Sequence, residues 1–243
     1  RSFYFSRKRL IFAFSGKSQS TSYRCPSVYL RETDCRISTV KSLSMKNIAV
    51  FASHGGSNLQ AVIDAISEGR LIARIGAVIS NNSTSFALER ARRAGIPAYH
   101  ISTKTENSEE AVAEKMLSVL ETHDTDLILL LGYMRMLPVS VLKRYHNRIF
   151  NIHPALLPRY GGKGMYGIHV HEAVIAAGDK ESGVTIHRVD ESYDRGEIVA
   201  QSRVVVLPDD TPDTLAARVL EREHTFLVET VQRILSGGIP VRG

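Results

Sequence analysis

Residues 47–59, Asn-Ile-Ala-Val-Phe-Ala-Ser-His-Gly-Gly-Ser-Asn-Leu, decide the fold. A short apolar run leads into a glycine-rich turn, and beyond Leu59 the apolar residues recur three and four apart, as in a helix. The same alternation of strand and helix patterns continues along the chain, which is typical of a sheet wrapped by crossover helices. We therefore predict an α/β fold of three layers, with a mostly parallel, twisted sheet and a Rossmann-like first half.

The individual patterns place seven strands and six helices. Strands are predicted near residues 47–52, 74–80, 97–101, 126–132, 148–153, 184–189 and 198–206. Helices are predicted near 57–68, 83–94, 107–121, 138–145, 169–177 and 211–235. A glycine-rich loop spans 160–167, and neither a repeat nor a long linker interrupts the pattern. We expect residues 45–243 to form a single domain.

The positive charge lies ahead of this domain. The chain has 243 residues and a formal charge of +6. Residues 1–44 hold nine basic residues, two acidic residues and ten serines, a net charge of +7, so residues 45–243 carry −1. A basic, serine-rich and acid-poor leader is typical of a transit peptide that organelle import machinery recognises. A basic arm that touches nucleic acid is the alternative.

Composition also excludes several classes of site from residues 45–243. Both cysteines, Cys25 and Cys35, lie in the leader, so thiolate catalysis, Cys-ligated zinc and disulfides are excluded from the body. The longest apolar run, residues 127–131, is far shorter than the ~18–20 residues that a membrane span needs. His169 and His171 are two apart, a poor spacing for zinc on one helical face, and we expect them at the surface or at the edge of a site. We expect no metal and no membrane partner.

The basic cluster of the second helix is the strongest remaining candidate for a nucleic-acid surface. Arg90, Arg92 and Arg93 are diluted by Glu89. Such a mixed set is typical of a solvated helix face. We expect no nucleic-acid partner for the domain.

The turn after the first strand, residues 53–58, could bind a phosphate. Its glycines let backbone amides approach an anion, and the amino end of the following helix favours negative charge. The turn lacks the full Gly-x-Gly-x-x-Gly spacing, and no Lys follows its last glycine. A tight turn in which Ser57 or Asn58 simply caps the helix is the alternative.

The stretch Phe150–Pro158 ends the fifth predicted strand. Residues two apart in a strand share a face, so Asn151 and His153 project together while Phe150 and Ile152 point into the core. The carboxyl ends of parallel strands are where open α/β sheets bind ligands. The alternative is a histidine at the edge of the core with a satisfied hydrogen bond.

A polar loop at residues 190–197 contains Asp194. An Asp close to a Gly often only shapes a turn. Beside an Asn and a His, however, the Asp194 carboxylate could keep an imidazolium charged and in one tautomer, and could order a water molecule.

Five ordered motifs carry a family resemblance that is collinear from Asn47 to Leu235. They are residues 56–60 (Gly-Ser-Asn-Leu-Gln), 132–137 (Gly-Tyr-Met-Arg-Met-Leu), 151–158 (Asn-Ile-His-Pro-Ala-Leu-Leu-Pro), 183–187 (Gly-Val-Thr-Ile-His) and 194–196 (Asp-Arg-Gly). The chain resembles the phosphoribosylglycinamide formyltransferases of purine biosynthesis. The resemblance implies a formyltransferase fold and formyl transfer from the co-substrate 10-formyltetrahydrofolate to the amine of glycinamide ribonucleotide. Together with the leader it implies a plant-type form in the plastid (chloroplast) stroma, with the mitochondrion as alternative.

The resemblance also implies roles for individual residues. Asn151 and His153 would stabilise the oxyanion, while Asp194 would keep His153 protonated and pass a proton through water. The nucleotide would be held by Gly56, Ser57 and Asn58 at its phosphate and by Glu223 near its ribose. The folate cleft would be lined by Arg135, Met136, Leu137, Val189, Asp190 and Glu191. His187 would support the three catalytic residues, and His169 would lie at the edge of the site.

The sequence departs from the family pattern at two places. Residues 161–166 are longer and rearranged relative to the commonest bacterial forms. Leu220 stands where some relatives have a polar side chain, so we do not expect it to contact the nucleotide.

Three other functions stay open. Methionyl-tRNA formyltransferase would add a basic carboxyl-terminal domain, and only residues 236–243 follow the last predicted helix. Formyltetrahydrofolate deformylase would carry a regulatory domain ahead of the transferase-like one. A non-catalytic folate- or nucleotide-binding module would be expected to lack Asn151, His153 or Asp194, and all three are present.

Overall fold

A seven-stranded sheet with helices on both faces forms the described part of the chain. The computed structural model describes residues 45–191 and 194–239, which belong to one compact unit, Leu43–Gly243. The predicted transit peptide, residues 1–44, lies outside the described residues. The strands are Lys46–Phe51 (β1), Ala73–Ser80 (β2), Ala98–His100 (β3), Leu127–Leu130 (β4), Ile149–His153 (β5), Glu181–Arg188 (β6) and Ile198–Val205 (β7). The helices are Ser57–Ser67 (α1), Phe86–Arg93 (α2), Thr103–Glu106 (α3), Glu109–Thr122 (α4), Val139–Arg144 (α5), Ile168–Ala176 (α6) and Pro212–Leu235 (α7).

The strand order is β3-β2-β1-β4-β5-β6-β7. The pairs from β3 to β5 are parallel, whereas β5–β6 and β6–β7 are antiparallel. The chain winds outward from β1 in one direction through β2 and β3, and then returns to the other side of β1 with β4. Loops that leave β1 and β4 therefore diverge, which opens a crevice at the carboxyl ends of these strands.

Alternate residues of the central strands feed two separate cores. Ile48 and Val50 of β1 pack with buried side chains of α1, α2, α6 and α7. Ala49 and Phe51 point to the other face, where they pack with α4 and α5. Successive residues of a strand point to opposite faces, and here both sets are apolar. This is expected for a sheet that is covered on both sides. The predicted three-layer, mostly parallel α/β fold is confirmed.

The main difference from the predicted elements lies between β3 and β4. One helix was expected over 107–121, but α4 begins at Glu109, where the Ser108 side chain caps it by accepting a 3.0 Å hydrogen bond from the Ala111 N–H. The additional helix α3 has only four residues and its own capping box of Ser102 and Thr105. Asn107, with a φ of 65°, separates the two helices. So short a helix leaves no hydrophobic period in the sequence.

In residues 45–191 and 194–239, none of the helices combines the length and the apolar character required to cross a membrane.

Candidate active site

A cavity of about 460 Å³ lies at the carboxyl ends of β1, β4 and β5. Nine of the residues expected at the site line it: Arg135, Met136, Leu137, Asn151, His153, His187, Val189, Asp190 and Asp194. The segments that supply them leave three different strands, so the topology of the sheet brings them together. His54, Tyr133, Met134 and the loop residues 162–167 complete much of the wall.

The alternation predicted along β5 is confirmed. Phe150 and Ile152 are buried in the core between the sheet and α7. Asn151 and His153 point into the cavity, where His153 is 4% exposed and Asn151 is half-buried. β6 runs antiparallel beside β5 and places His187 directly opposite Asn151. Cross-strand partners lie about 5 Å apart, which lets their side chains meet.

His153 is held at both ring nitrogens. Its Nε2 donates a 2.7 Å hydrogen bond to the carbonyl oxygen of Tyr160, and its Nδ1 lies 3.7 Å from Oδ2 of Asp194. Burial lowers the pKa of His153, while the Asp194 charge and the Tyr160 carbonyl act in the opposite direction. The net shift is downward, which differs from the expectation that Asp194 keeps this imidazole charged, because desolvation is the larger effect.

Asp194 is placed by its backbone and by three neighbours. Its φ of 52° lies in the left-handed region, which Asp adopts more readily than most residues. Its Oδ2 accepts a 2.9 Å hydrogen bond from the Gly162 N–H, and its Oδ1 lies 3.4 Å from His187 Nε2. Burial acts to raise the pKa of Asp194, but His187, His153 and the Gly162 N–H together lower it below its ordinary value. The carboxylate is therefore ionised at neutral pH.

Asn151 completes this polar network. Its Nδ2 lies 3.0 Å from His187 Nε2 and 3.4 Å from Asp194 Oδ1. His187 in turn donates from Nδ1 to the carbonyl oxygen of Arg188 at 2.8 Å, since a carbonyl can only accept. His187 thus fixes the orientation of the Asn151 amide.

The glycine-rich turn has the features of an anion site. The residue that caps α1 is Gly56, with a φ of 68° and no side-chain capping bond, so the alternative in which Ser57 or Asn58 caps the helix is wrong. Among the described residues, no backbone hydrogen bond uses the N–H groups of Gly56, Ser57 and Asn58 as donors. A helix amino terminus with such N–H groups is suited to bind a phosphate.

Two carbonyl oxygens of this turn, those of His54 and Gly55, accept hydrogen bonds from residues of α2 and its N-cap. His54 accepts hydrogen bonds from the Ala87 N–H at 3.1 Å and from the Ser85 hydroxyl at 2.8 Å. The Arg90 Nε donates to the carbonyl of Gly55 at 2.8 Å, and its guanidinium also donates to Gln60 Oε1 at 3.0 Å. The expectation of a solvated face is therefore wrong for Arg90, which is half-buried and braces the turn.

Glu223 is joined to the turn and is separate from the main cavity. Asn58 Nδ2 donates a 2.6 Å hydrogen bond to its Oε2, and the carboxyl group is buried, at 6% exposure. Burial raises the pKa of Glu223 to about 7, although the bond from Asn58 opposes the shift. A carboxyl group that is partly protonated near neutral pH can both donate and accept hydrogen bonds.

Six of the expected residues do not line the cavity around His153. They are Gly56, Ser57, Asn58, Glu223, Glu191 and His169. Ser57 borders a separate groove of about 380 Å³. Glu191 is exposed, and His169 is exposed with its Nδ1 3.0 Å from Glu172 and its ring against Tyr166. Leu220 is 38% exposed.

Two residues near His153 were missed from the sequence. Tyr160 supplies a backbone carbonyl, a contribution that no residue type signals. His171 was expected at the surface or at the edge of the site, but it is 4% exposed and its Nδ1 is without a hydrogen-bond partner among the described residues. Burial lowers the pKa of His171, and the nearby His153 adds to this effect. The apolar neighbours Val170 and Val174 were the available signal for a buried face.

Comparison with known proteins identifies the family. Residues 46–231 match the family model described as formyl transferase. The chain belongs to the formyl transferase family. It is 43% identical over 190 residues to a chloroplastic phosphoribosylglycinamide formyltransferase of Arabidopsis thaliana, covering 78% of this chain and 65% of the relative. It is 37% identical over 180 residues to phosphoribosylglycinamide formyltransferase of Escherichia coli strain K12, covering 74% of this chain and 82% of that protein.

A solved structure of a related enzyme has the same fold as this formyl transferase. Glycinamide ribonucleotide transformylase 1 from Symbiobacterium toebii superposes with a TM-score of 0.75 at 36% identity, covering 82% of this chain and 92% of that one. The resemblance read from the five motifs is confirmed. The chain spans 65% of the length of the two chloroplastic relatives that it matches, from Arabidopsis thaliana and Vigna unguiculata.

Proposed function

We propose that this formyl transferase moves the formyl group of 10-formyltetrahydrofolate to the amine of glycinamide ribonucleotide in purine biosynthesis. The observation that carries the proposal is the convergence of Asn151, His153 and Asp194 on one cavity. An amide donor, an imidazole and an ionised carboxylate are the groups that an acyl transfer between nitrogen atoms requires. The relatives that bear this activity in their names support it.

The nucleotide would span from the glycine-rich turn to His153. The turn follows β1 and Asn151 lies on β5, with only β4 between these two strands. Neighbouring strands are about 4.8 Å apart, which separates the two positions by roughly 10 Å. In this arrangement the N–H groups of Gly56, Ser57 and Asn58 bind the phosphate, and the amine reaches His153. Glu223, bonded to Asn58, would then lie near the ribose.

The folate would enter beside Arg135. Met134 and Met136 line the cavity and are 40% and 39% exposed, which is apolar surface suited to a flat aromatic ring. Leu137 and Val189 extend this wall, and Asp190 lies beside them. A cavity with an apolar wall and few polar groups at one end orients a ligand by those polar groups.

The reaction needs one proton to move from the attacking nitrogen to the leaving nitrogen. The amine attacks the formyl carbon, and the carbonyl oxygen becomes negative. His187 holds one N–H of Asn151, and the 3.4 Å contact of that amide to Asp194 is long enough to be exchanged for a bond to the oxyanion. The lone pair of neutral His153 accepts the amine proton, directly or through water held by Asp194.

Collapse of the tetrahedral centre then completes the transfer. The imidazolium formed on His153 pairs with Asp194 and stabilises the negative oxygen. The bond from the formyl carbon to the folate N10 breaks, and the proton passes to that nitrogen. The products are formylglycinamide ribonucleotide and tetrahydrofolate. No step calls on a metal ion.

The destination of the chain forms a second part of the proposal. We propose that residues 1–44 are a transit peptide ahead of a single domain, residues 45–243, and that the domain functions in the plastid stroma. Two relatives are named as chloroplastic, which supports a plastid over a mitochondrion. Import of a fusion of residues 1–44 into isolated plastids tests this assignment, and retention outside both organelles would refute it.

An assay with three acceptors tests the activity. The purified chain is supplied with 10-formyltetrahydrofolate and with glycinamide ribonucleotide, initiator methionyl-tRNA or water alone. We expect formyl transfer to the ribonucleotide only. Transfer to tRNA, or release of formate without an acceptor, would instead indicate a methionyl-tRNA formyltransferase or a deformylase. A folate-binding module would transfer nothing.

A further inference from the structure

The backbone of residues 160–162 passes beside both His153 and Asp194. The Tyr160 carbonyl accepts the 2.7 Å hydrogen bond from His153 Nε2, and the Gly162 N–H donates the 2.9 Å bond to Asp194 Oδ2. Between them, a Cβ placed on Gly161 would lie 3.2 Å from Asp194 Cβ and 2.5 Å from Leu157 Cδ2. The chain therefore passes close to both side chains at residues 160–162.

The Tyr160 carbonyl decides which ring nitrogen of His153 carries the proton. A carbonyl oxygen has no proton to give, so Nε2 must be the N–H. The neutral ring then has its lone pair on Nδ1, on the side of Asp194. We propose that Tyr160 is a positioning residue. Its carbonyl keeps the proton of the neutral His153 ring on Nε2, and Nδ1 is thereby left to accept the proton of the amine. The inference deepens the proposed function, since it names the atom that accepts the amine proton.

Tyr160 is itself held by a group outside the cavity. Its φ of 55° is unusual for a residue with an aromatic side chain. Its hydroxyl donates a 2.8 Å hydrogen bond to Asp179 Oδ2, and Arg159 donates to the other carboxylate oxygen at 2.9 Å. The Arg159 guanidinium also lies 5.1 Å from the centre of the Tyr160 ring. These contacts compensate for an unfavourable backbone conformation.

The Asp179 contact is separate from the reaction cavity. Tyr160, Asp179 and Arg159 border a different groove, of about 330 Å³, and none of them lines the cavity around Asn151. A change at the phenol or at Asp179 therefore reaches His153 through the position of the Tyr160 carbonyl.

Other titratable groups around His153 are left unchanged by substitutions at Tyr160. Asp194 and His187 act on it from the loop after β6 and from β6 itself, and His153 in turn acts on His171 of α6. Further charged or titratable side chains on the cavity wall are His54, Tyr133, Arg135, Lys163, Tyr166 and Asp190.

The test compares Tyr160→Phe with the unaltered chain by nitrogen-15 NMR of the histidine rings, without substrate. We expect His153 to be the Nε2–H tautomer in the unaltered chain. In Tyr160→Phe the bond to Asp179 is lost, and we expect a substantial fraction of the Nδ1–H tautomer. Tyr99→Phe on β3 is the matched control, because it removes a 2.7 Å hydroxyl contact to His123, away from the cavity. It should leave the His153 signals unchanged.

The pH–rate profile supplies the second measurement. The Tyr160 carbonyl raises the pKa of His153, so the limb that reports His153 should move to lower pH in Tyr160→Phe, with kcat reduced about tenfold. Asp179→Asn retains an oxygen that accepts from the phenol and should preserve the tautomer, whereas Asp179→Ala should not. This second pair of variants applies if Tyr160→Phe does not fold.

The outcomes separate this inference from the proposed function. A mixture of tautomers in the unaltered chain would overturn it, as would unchanged NMR signals and an unchanged pH limb in both Tyr160→Phe and Asp179→Ala. The NMR result does not depend on any substrate, so a chain that fails to transfer formyl groups can still show the Nε2–H tautomer. In that case the proposed function fails and the placement of the proton stands.

Discussion

Asn58 on α1 donates a 2.6 Å hydrogen bond to the carboxyl group of Glu223 on α7, and thereby joins residues that are 165 positions apart. α1 follows the glycine-rich turn directly, so the bond ties the proposed phosphate site to the last helix. The oxygen of the same Asn58 amide, Oδ1, is buried without a hydrogen-bond partner among the described residues. A buried acceptor of this kind costs stability.

Glu223→Gln should change how stability depends on pH. Burial raises the pKa of Glu223 from 4.5 to about 7, so between these pH values the folded chain retains a proton that the unfolded chain releases. Stability from this group is complete below pH 4.5 and is lost as the pH rises to about 7. Gln cannot ionise, so the variant should gain on the unaltered chain across this window, by ~3 kcal/mol in all. Denaturant unfolding at a series of pH values measures the difference, and parallel curves would contradict the prediction.

Gly56→Ala should weaken nucleotide binding. A Cβ at this position would lie 2.8 Å from the Cβ of Ala87, and the φ of 68° disfavours any side chain. Displacing the turn misaligns the N–H groups that bind the phosphate, so we expect KM for the ribonucleotide to rise roughly tenfold and stability to fall by ~1–2 kcal/mol. Gly55→Ala is the control, since a Cβ there has no atom within 4 Å. Equal effects of the two substitutions would refute this account of the turn.

Arg90→Met should raise KM for the ribonucleotide more than it lowers kcat. The substitution removes the 2.8 Å bond that holds the Gly55 carbonyl away from the anion, together with a positive charge close to the turn. We expect roughly a tenfold increase in KM. Arg93→Met on the same helix is the control, because the Arg93 side chain is 76% exposed and forms an ion pair with Glu89 on its own helix. Steady-state kinetics of both variants measure the difference. An equal KM for the ribonucleotide in the two variants would contradict a role of Arg90 in supporting the turn.

Asn151→Ala should lower kcat by ~10²–10³, the usual cost of losing one preorganised oxyanion donor. Its effect on KM should be small, because the bond to the oxyanion exists only in the transition state. Circular dichroism should show an unchanged fold, since the amide is half-buried and its neighbours Phe150 and Ile152 fill the core. A kcat within threefold of the unaltered value would remove Asn151 from the mechanism.

Much of the fold follows from the hydrophobic period of the chain. The runs at Ile48 and Leu127 are apolar at every position because both faces of the sheet are covered, and this distinguishes them from half-exposed strands. The junction at Asn107 could not be predicted, because α3 and α4 meet at a residue whose left-handed backbone is set by local capping. The hydrophobic period indicates which residues are buried, but it does not indicate where one short helix ends and the next begins.

The candidate site was predictable where side-chain chemistry defines it. Asn151 and His153 share a strand face, and alternation alone places them together. The contribution of Tyr160 could not be predicted, since it comes from a carbonyl and depends on a turn. The protonation of His153 could not be predicted either. Burial lowers the pKa of His153 and the Asp194 charge raises it, and the balance between them depends on three-dimensional packing.

The fate of a carbon-13 formyl group shows whether the chain transfers formyl to the amine of the ribonucleotide. The chain is incubated with labelled 10-formyltetrahydrofolate and glycinamide ribonucleotide, and the label is followed by NMR and mass spectrometry. We predict that the label appears on the amine nitrogen of the ribonucleotide, in equal amount to the tetrahydrofolate formed, and that His153→Ala slows this appearance at least a hundredfold while remaining folded. Label that stays on the folate or emerges as formate, or an undiminished rate in His153→Ala, would contradict the account.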